Sequence, residues 1–227
     1  MRSGFFTKRL SLVLLFFALM TLPVGAQGFF SNISWFAQGS ILFFPEDNGM
    51  YSDPMPILPA PGVGASYPVT DMFRIEATLD MYFTHYGYSP ELDRAVPVAI
   101  ENRSSFVIGS LLAFQGAAYF NINSFLRARV YGGPAADLRI ILLAEDLNSG
   151  DMEDAQKQTG QVRNYFWSSG RWFMPVAGAG MDFAINERFK LGIDLRVWIP
   201  VYKLWSGENL PAIEGWRFGP GLRITIM

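Results

Sequence analysis

The sequence predicts an all-β fold: an eight-stranded antiparallel up-and-down transmembrane β-barrel. Three observations lead there. Phe73 to Gly87 alternate without interruption. Phe73, Ile75, Ala77, Leu79, Met81 and Phe83 occupy one parity, and Arg74, Glu76, Thr78, Asp80, Tyr82 and Thr84 the other. Successive strand residues point to opposite faces, so this strand has an oily side and a charged side. It is also longer than the roughly 9–11 residues a tilted membrane-crossing strand needs. Second, the mean hydropathy is +0.19 and charged residues make up only 17%, against about 25% in soluble domains. Third, past the N-terminal leader no segment reaches the roughly 18 apolar residues of a spanning helix. A chain this apolar, without spanning helices, hides its oily surface most simply as a closed barrel in lipid.

The leader itself has the layout of a secretory signal. Arg2, Lys8 and Arg9 precede an apolar run from Leu10 to Leu22, and Val24-Gly25-Ala26 supplies small residues before a cut ahead of Gln27. The run is too short to span as a helix, and the arrangement is that of a removable export signal. Residues 1–26 are therefore read as a cleavable signal peptide and 27–227 as a single barrel domain. The absence of cysteine excludes a thiolate metal site, a disulfide framework and a lipoprotein anchor. Removing Arg2, Lys8 and Arg9 leaves 15 basic against 20 acidic residues. That balance is wrong for a nucleic-acid binder, which carries a basic patch.

Eight strands follow in order. The first is Asn32–Phe44, with Ile33, Trp35, Ala37, Ile41 and Phe43 on one parity. The second, Val63–Thr70, is short and holds Pro68. The third is Met72–Tyr88. The fourth, Ser105–Phe120, is apolar on both parities, which leaves its facing open. The fifth, Ser124–Gly132, groups Arg127, Arg129 and Tyr131. The sixth, Arg171–Ile185, sets Phe173, Ala177, Ala179, Met181, Phe183 and Ile185 opposite Asp182. The seventh, Phe189–Tyr202, opposes Leu191, Ile193, Leu195 and Val197 to Lys190, Asp194, Arg196 and Trp198. The eighth, Trp216–Met227, opposes Leu222, Ile224 and Ile226 to Arg217, Arg223 and Thr225.

Tight turns around Asp71, Asn121–Asn123 and Asn186–Arg188 alternate with long connections at 45–62, 89–104, 133–170 and 203–215. Asn and Asp suit such turns because they bond locally and tolerate the left-handed region. Short turns at the periplasmic end and long loops outside are the arrangement of an outer-membrane barrel. Within 133–170, Pro134–Leu147 either extends strand five or forms a short helix, and Asp151–Gln161 reads as exposed.

Alternation does not say which parity faces inward, since a soluble lipocalin-like barrel alternates as well. The polar parity, however, lacks the Lys and Glu of a watered exterior, and aromatics gather near strand ends as interfacial girdles do. The lumen is expected to hold Arg74, Arg127, Arg129, Lys190, Arg196, Arg217 and Arg223 against Glu76, Asp80, Asp182 and Asp194. Buried charges must pair, so Glu76, Asp80 and Asp194 are expected to bridge to arginines of other strands. This network is either a gate on a narrow ion path or a polar plug. A bore of eight strands is only just wide enough for its own side chains, which favours the plug.

The last strand carries a further pattern. Arg217, Gly219, Leu222 and Ile224 fill the polar, glycine and paired hydrophobic positions of a sequence that resembles the C-terminal assembly signal of bacterial outer-membrane barrels. Met227 stands where an aromatic is common. With the leader and the short–long connections, the chain resembles the eight-stranded outer-membrane family of the OmpA transmembrane domain, OmpX and OmpW. The resemblance implies residence in the outer membrane of a diderm bacterium. It also implies contact with outer-membrane lipid and with the insertion machinery. The charged lumen is more similar to the OmpA and OmpX pattern than to the apolar channel of OmpW.

A search for catalytic chemistry gives little. His85 is the sole histidine, on the outward parity, with no serine two residues on, whereas a base must reach its nucleophile. Glu46–Asp47, Glu145–Asp146 and Asp151–Asp154 lack the ligand spacing of a calcium loop. No catalytic, cofactor-binding or metal-binding residue is expected. The expected function is that of an integral outer-membrane barrel with a charged, side-chain-filled lumen and acidic surface loops. It would act in surface interaction or envelope structure, with an extracellular ligand as partner. The alternative is a gated channel for small or hydrophobic solutes, motivated by Trp198, Tyr202 and Trp205 near the mouth.

Overall fold

The computed structural model describes residues 32–45, 57–98, 105–143, 149–207 and 214–226. The leader, its cut and the pairs Glu46–Asp47 and Glu145–Asp146 lie outside them. The strands are β1 (Ser34–Phe43), β2 (Ile57–Pro68), β3 (Phe73–Ser89), β4 (Arg94–Pro97), β5 (Ser105–Asn121), β6 (Leu126–Gly133), β7 (Ala135–Leu143), β8 (Val176–Ala184), β9 (Phe189–Trp198) and β10 (Arg217–Ile226). Helix α1 spans Ser149–Trp167 and a short α2 spans Lys203–Ser206.

These ten strands build a wall of eight. Pairing runs antiparallel from β1 through β2 and β3 to β5, on through β6, β8 and β9 to β10, and β10 closes on β1 from Trp35↔Ile226 to Phe43↔Phe218. β6 and β7 are one wall strand. Both pair with β5 in a single register, Gly116↔Gly132 below and Ala113↔Ala135 above, and Pro134 between them still accepts from Phe114 N–H at 3.0 Å. Closure leaves no open edge, which satisfies the backbone without water.

Strand faces sort by parity. Phe36, Gln38, Ser40 and Leu42 of β1, and Glu76, Thr78, Asp80 and Tyr82 of β3, are buried. Their neighbours Trp35 (60% exposed), Ile41, Leu79 and Phe83 are on the outside. β5, whose facing the sequence leaves open, turns Val107, Leu111, Ala113 and Gln115 inward and Leu112 and Phe114 outward. Inward glycines make room for large neighbours. A Cβ at Gly109 would overlap the Tyr82 ring, and one at Gly178 the Tyr131 ring.

The tight turns share one construction. Thr70 Oγ1, Asn123 Oδ1 and Asn186 Oδ1 each accept the N–H three residues on, from Phe73 (3.0 Å), Leu126 (2.8 Å) and Phe189 (2.9 Å). In the first turn Thr70, not Asp71, is that acceptor. Val69, Ile122 and Ile185 then close the turns by donating to the carbonyl four residues on.

The boundaries differ from expectation at the loop end. β2 begins at Ile57, although it contains Pro59 and Pro61. Both share a parity, and a proline cannot donate on the side its nitrogen faces. The ladder to β1 runs through them, whereas the ladder to β3 ends at Gly62↔Asp80. Higher up, β4 takes the vacated edge of β3, from Ser89↔Arg94 to Tyr86↔Pro97. The 133–170 connection is not a loop throughout: β7 prolongs the fifth wall strand, α1 follows, and the sixth wall strand starts only at Val176. Asp151–Gln161 lies within α1, not in a loop.

Candidate functional site: the charged bore and its two ends

Each inward arginine of the middle bore meets a carboxylate from another strand. Arg196 (β9) lies on the opposite side of the wall from Asp80 (β3), and its Nη1 donates to Asp80 Oδ2 at 2.6 Å. Gln38 of β1 donates to the same carboxylate at 2.8 Å, and Arg196 also reaches Ser40. This cluster therefore crosses the bore. Below it, Arg223 (β10) grips Glu76 (β3) with two parallel bonds of 2.9 and 3.0 Å. Tyr119 O–H donates to Glu76 at 2.6 Å. Arg129 (β6) donates to Asp194 (β9) at 3.0 Å and sits 3.6 Å from Asp182 (β8). Tyr131 O–H donates to Asp194 at 3.1 Å. Glu76 and Asp80 are fully buried, as Arg129 and Arg196 nearly are. Charges so deep persist only when paired and hydrogen-bonded.

A fourth cluster closes the loop end. Asp137 (β7) takes Arg139 Nε at 2.8 Å, Arg217 Nη1, and Tyr82 O–H at 2.7 Å. The Arg139 guanidinium lies 3.7 Å from the Phe166 ring centre and 5.2 Å from that of Tyr86. Val162 and Phe166 of α1 pack on Tyr86 and Val107, both inward residues of the barrel extension, and Thr159 bonds Ser105 at 2.9 Å. Helix α1 thus seats on the inner side of the extended β3–β5–β7 wall. Arg94 of β4 pairs with Glu214, just ahead of β10. Lys203 in α2 has its pKa lowered, first by burial, with the Glu214 charge acting the other way.

The short-turn end differs. Arg74, Arg127 and Lys190 line a half-buried recess there. Arg74 donates to Ser66 Oγ at 2.7 Å and Ser34 Oγ at 3.0 Å, and Arg127 donates to Asn121 Oδ1 at 2.7 Å. Among the described residues no carboxylate lies within 4.0 Å of these three cations. The structure thus brings together eight of the eleven lumen residues named from sequence and leaves these three outside ion-pair distance of an acid, with Asp182 lining the same recess. The sequence reading left Pro134–Leu147 open between an extension of strand five and a short helix; the structure shows the extension, and Asp137, Arg139 and the tyrosines that donate to the acids were not among the residues it named. Arg139 and Asp137 follow the parity of Arg127 and Arg129 across Pro134, a signal that could have found them.

Gly219, Leu222 and Ile224 of the proposed assembly pattern lie on β10, with Leu222 and Ile224 exposed outward and Arg217 inside on Asp137. His85 packs on outward Phe106 at 5.3 Å between ring centres. Trp198 is 1% exposed and lies under Arg196, and Tyr202 is buried. Trp205 is exposed and donates to Ser169 O at 2.8 Å. Among the described residues, no group of three metal-ligating side chains occurs.

A closed wall with an apolar exterior, aromatics at its rims and tight turns at one end is the architecture of outer-membrane barrels. Trp35, Phe73, Phe120 and Phe189 mark the short-turn rim, and Trp167, Trp172 and Trp205 stand at the other. The chain is a closed eight-stranded antiparallel β-barrel with an apolar outer wall, the architecture of a transmembrane barrel. Solved structures of similar fold include Neisserial surface protein A, at 9% identity over 86% of this chain and 96% of that one, with a TM-score of 0.49. The N-terminal β-barrel domain of Pseudomonas aeruginosa OprF is 14% identical over 86% and 98%, with a TM-score of 0.43. Ail of Yersinia pestis, in complex with the heparin analogue sucrose octasulfate, is 8% identical over 86% and 95%, with a TM-score of 0.46. No family model and no curated protein sequence matches the chain.

Proposed function

We propose that this barrel is a sealed outer-membrane scaffold that acts in surface interaction or envelope structure. Its bore is a polar plug, and its working surface is the ordered outer cap of α1 and β4. One observation carries the reading: the Arg196–Asp80–Gln38 cluster spans the bore from β9 to β3 and β1, and stacked Arg–carboxylate pairs lie above and below it. Ions entering such a bore would have to break buried, doubly bonded pairs, each costly to separate. The aromatics that motivate solute passage support the plug instead, since Trp198 fills the bore and Tyr202 is buried. The assembly pattern on β10 fits the same role, with Leu222 and Ile224 offered to the insertion machinery on the outer wall.

Planar-bilayer recording of the purified, folded chain tests the reading. The expected result is a silent membrane, with steps appearing only in an Asp80→Ala/Arg196→Ala double variant. Large steady conductance by the unaltered chain would overturn it in favour of a gated channel.

A further inference from the structure

We propose that the short-turn mouth of the barrel is an anion-binding site that takes a phosphate group. The argument begins with an imbalance. Each described carboxylate of the bore, Glu76, Asp80, Asp137, Asp182 and Asp194, has an arginine within 4.0 Å. The cations outnumber them, and the surplus is not spread evenly. Arg74 of β3, Arg127 of β6 and Lys190 of β9 come from three separate parts of the wall and converge on one recess.

Their contacts hold them in place without neutralising them. Serine and asparagine oxygens fix the guanidinium groups of Arg74 and Arg127. Both groups also stand over the Tyr119 ring, at 5.9 and 5.5 Å from its centre. Neutral acceptors and a ring face orient a cation but leave its full charge available. Arg223 contributes no surplus, being matched by Glu76. Asp182 is the acid of the recess: it lies 3.6 Å from Arg129, which also holds Asp194, and its charge also acts on Lys190, so one carboxylate stands against the three cations. The recess therefore keeps a positive excess. Like charges gathered in a partly dehydrated cleft raise the local concentration of anions.

The donor set selects the anion. Guanidinium edges bind tetrahedral oxyanions in forked pairs, and an ammonium adds a point charge. Ser66 and Thr225 place hydroxyls in the same recess. Two sources offer this chemistry: free phosphate in the compartment at the short-turn end, and the headgroup phosphate of an anionic lipid in the adjoining leaflet.

The test uses the full chain, folded in nonionic detergent and titrated calorimetrically with inorganic phosphate. The same chain is then placed in nanodiscs of phosphatidylcholine with and without phosphatidylglycerol, and the Lys190 ammonium is followed by NMR. The proposal expects saturable binding of phosphate, a shift of the Lys190 signal with phosphatidylglycerol, or both; the arm that responds identifies the source. Arg74→Gln/Arg127→Gln keeps the Lys190 probe and should weaken the response at least tenfold in either arm while keeping the heat-modifiable gel mobility of a folded barrel. Arg74→Gln alone supplies a second variant should the first not fold. No saturable response in either arm, or a response that survives both variants, would overturn the proposal.

Discussion

The two ends of the bore use the same residue types for opposite results. At the loop end, Asp137 sits between Arg139 and Arg217, takes a third bond from Tyr82, and lies beneath the aromatic face of α1. At the short-turn end, Arg74, Arg127 and Lys190 are half-buried; serine and asparagine oxygens steady the two arginines, and no carboxylate among the described residues comes within 4.0 Å of the three. Burial explains the contrast. A fully enclosed charge must be paired, because its desolvation cost is several kcal/mol by typical values. A half-exposed one retains enough water to stand without an acid. Depth in the bore therefore decides whether an arginine is structural or available to a ligand.

This contrast can be broken by substitution, and the largest effect belongs to the deep end. Asp137→Ala removes the carboxylate that two buried guanidinium groups share, and unfolding in urea from lipid vesicles should show a loss of about 3–5 kcal/mol. A loss below about 1 kcal/mol would mean that water already reaches the cluster.

The wall comes next. Ile193, 46% exposed on the outer face of β9, replaced by Arg should cost about 2–4 kcal/mol in the same assay if it lies near the bilayer midplane. An unchanged midpoint would argue that this face meets water.

Gly109→Val tests the fit inside the bore. The new side chain must displace the Tyr82 ring and its bond to Asp137. The expected cost is about 1–3 kcal/mol, as for overpacking in cores. A neutral result would show that Tyr82 has room to move.

Lys190→Gln should be the mildest. With no acid among the described residues within 4.0 Å and only the more distant charge of Asp182 to lose, its stability should stay within about 0.5 kcal/mol of the parent. A loss comparable to that of Asp137→Ala would show that the short-turn cations are as structural as the deep ones, and the contrast between the ends would disappear.

How much of this was legible in the sequence follows from the same physics. β3 and β9 alternate cleanly because one face meets apolar surroundings and the other a polar bore, so both strands could be read directly, although β9 ends at Trp198 and not at Tyr202, and the inward parity had to be taken from composition. β5 could not be read that way, because Val107, Leu111 and Ala113 fill the bore with apolar groups opposite an equally apolar outer face. Pro59 and Pro61 concealed the start of β2, since their tolerance depends on which neighbour their nitrogens face. Pro134 left the continuation of β6 into β7 open against a short helix, and with it the place of Asp137 and Arg139. The partners of Glu76, Asp80 and Asp194 were expected to be arginines of other strands, but which arginine each meets depends on strand order and register across the barrel. That Arg74, Arg127 and Lys190 find no acid was not legible at all, because it depends on depth along the bore.

The most direct measurement follows β3 residue by residue. The chain has no cysteine, so single cysteines at Ala77, Leu79 and Phe83, and at Thr78 and Thr84, can carry a small fluorinated label. The label is read by fluorine NMR in nanodiscs containing nitroxide-bearing lipid. Strong broadening at Ala77, Leu79 and Phe83 with sharp lines at Thr78 and Thr84 is the predicted result. Broadening at the threonines, or none at the three apolar positions, would contradict an apolar wall around a charged bore.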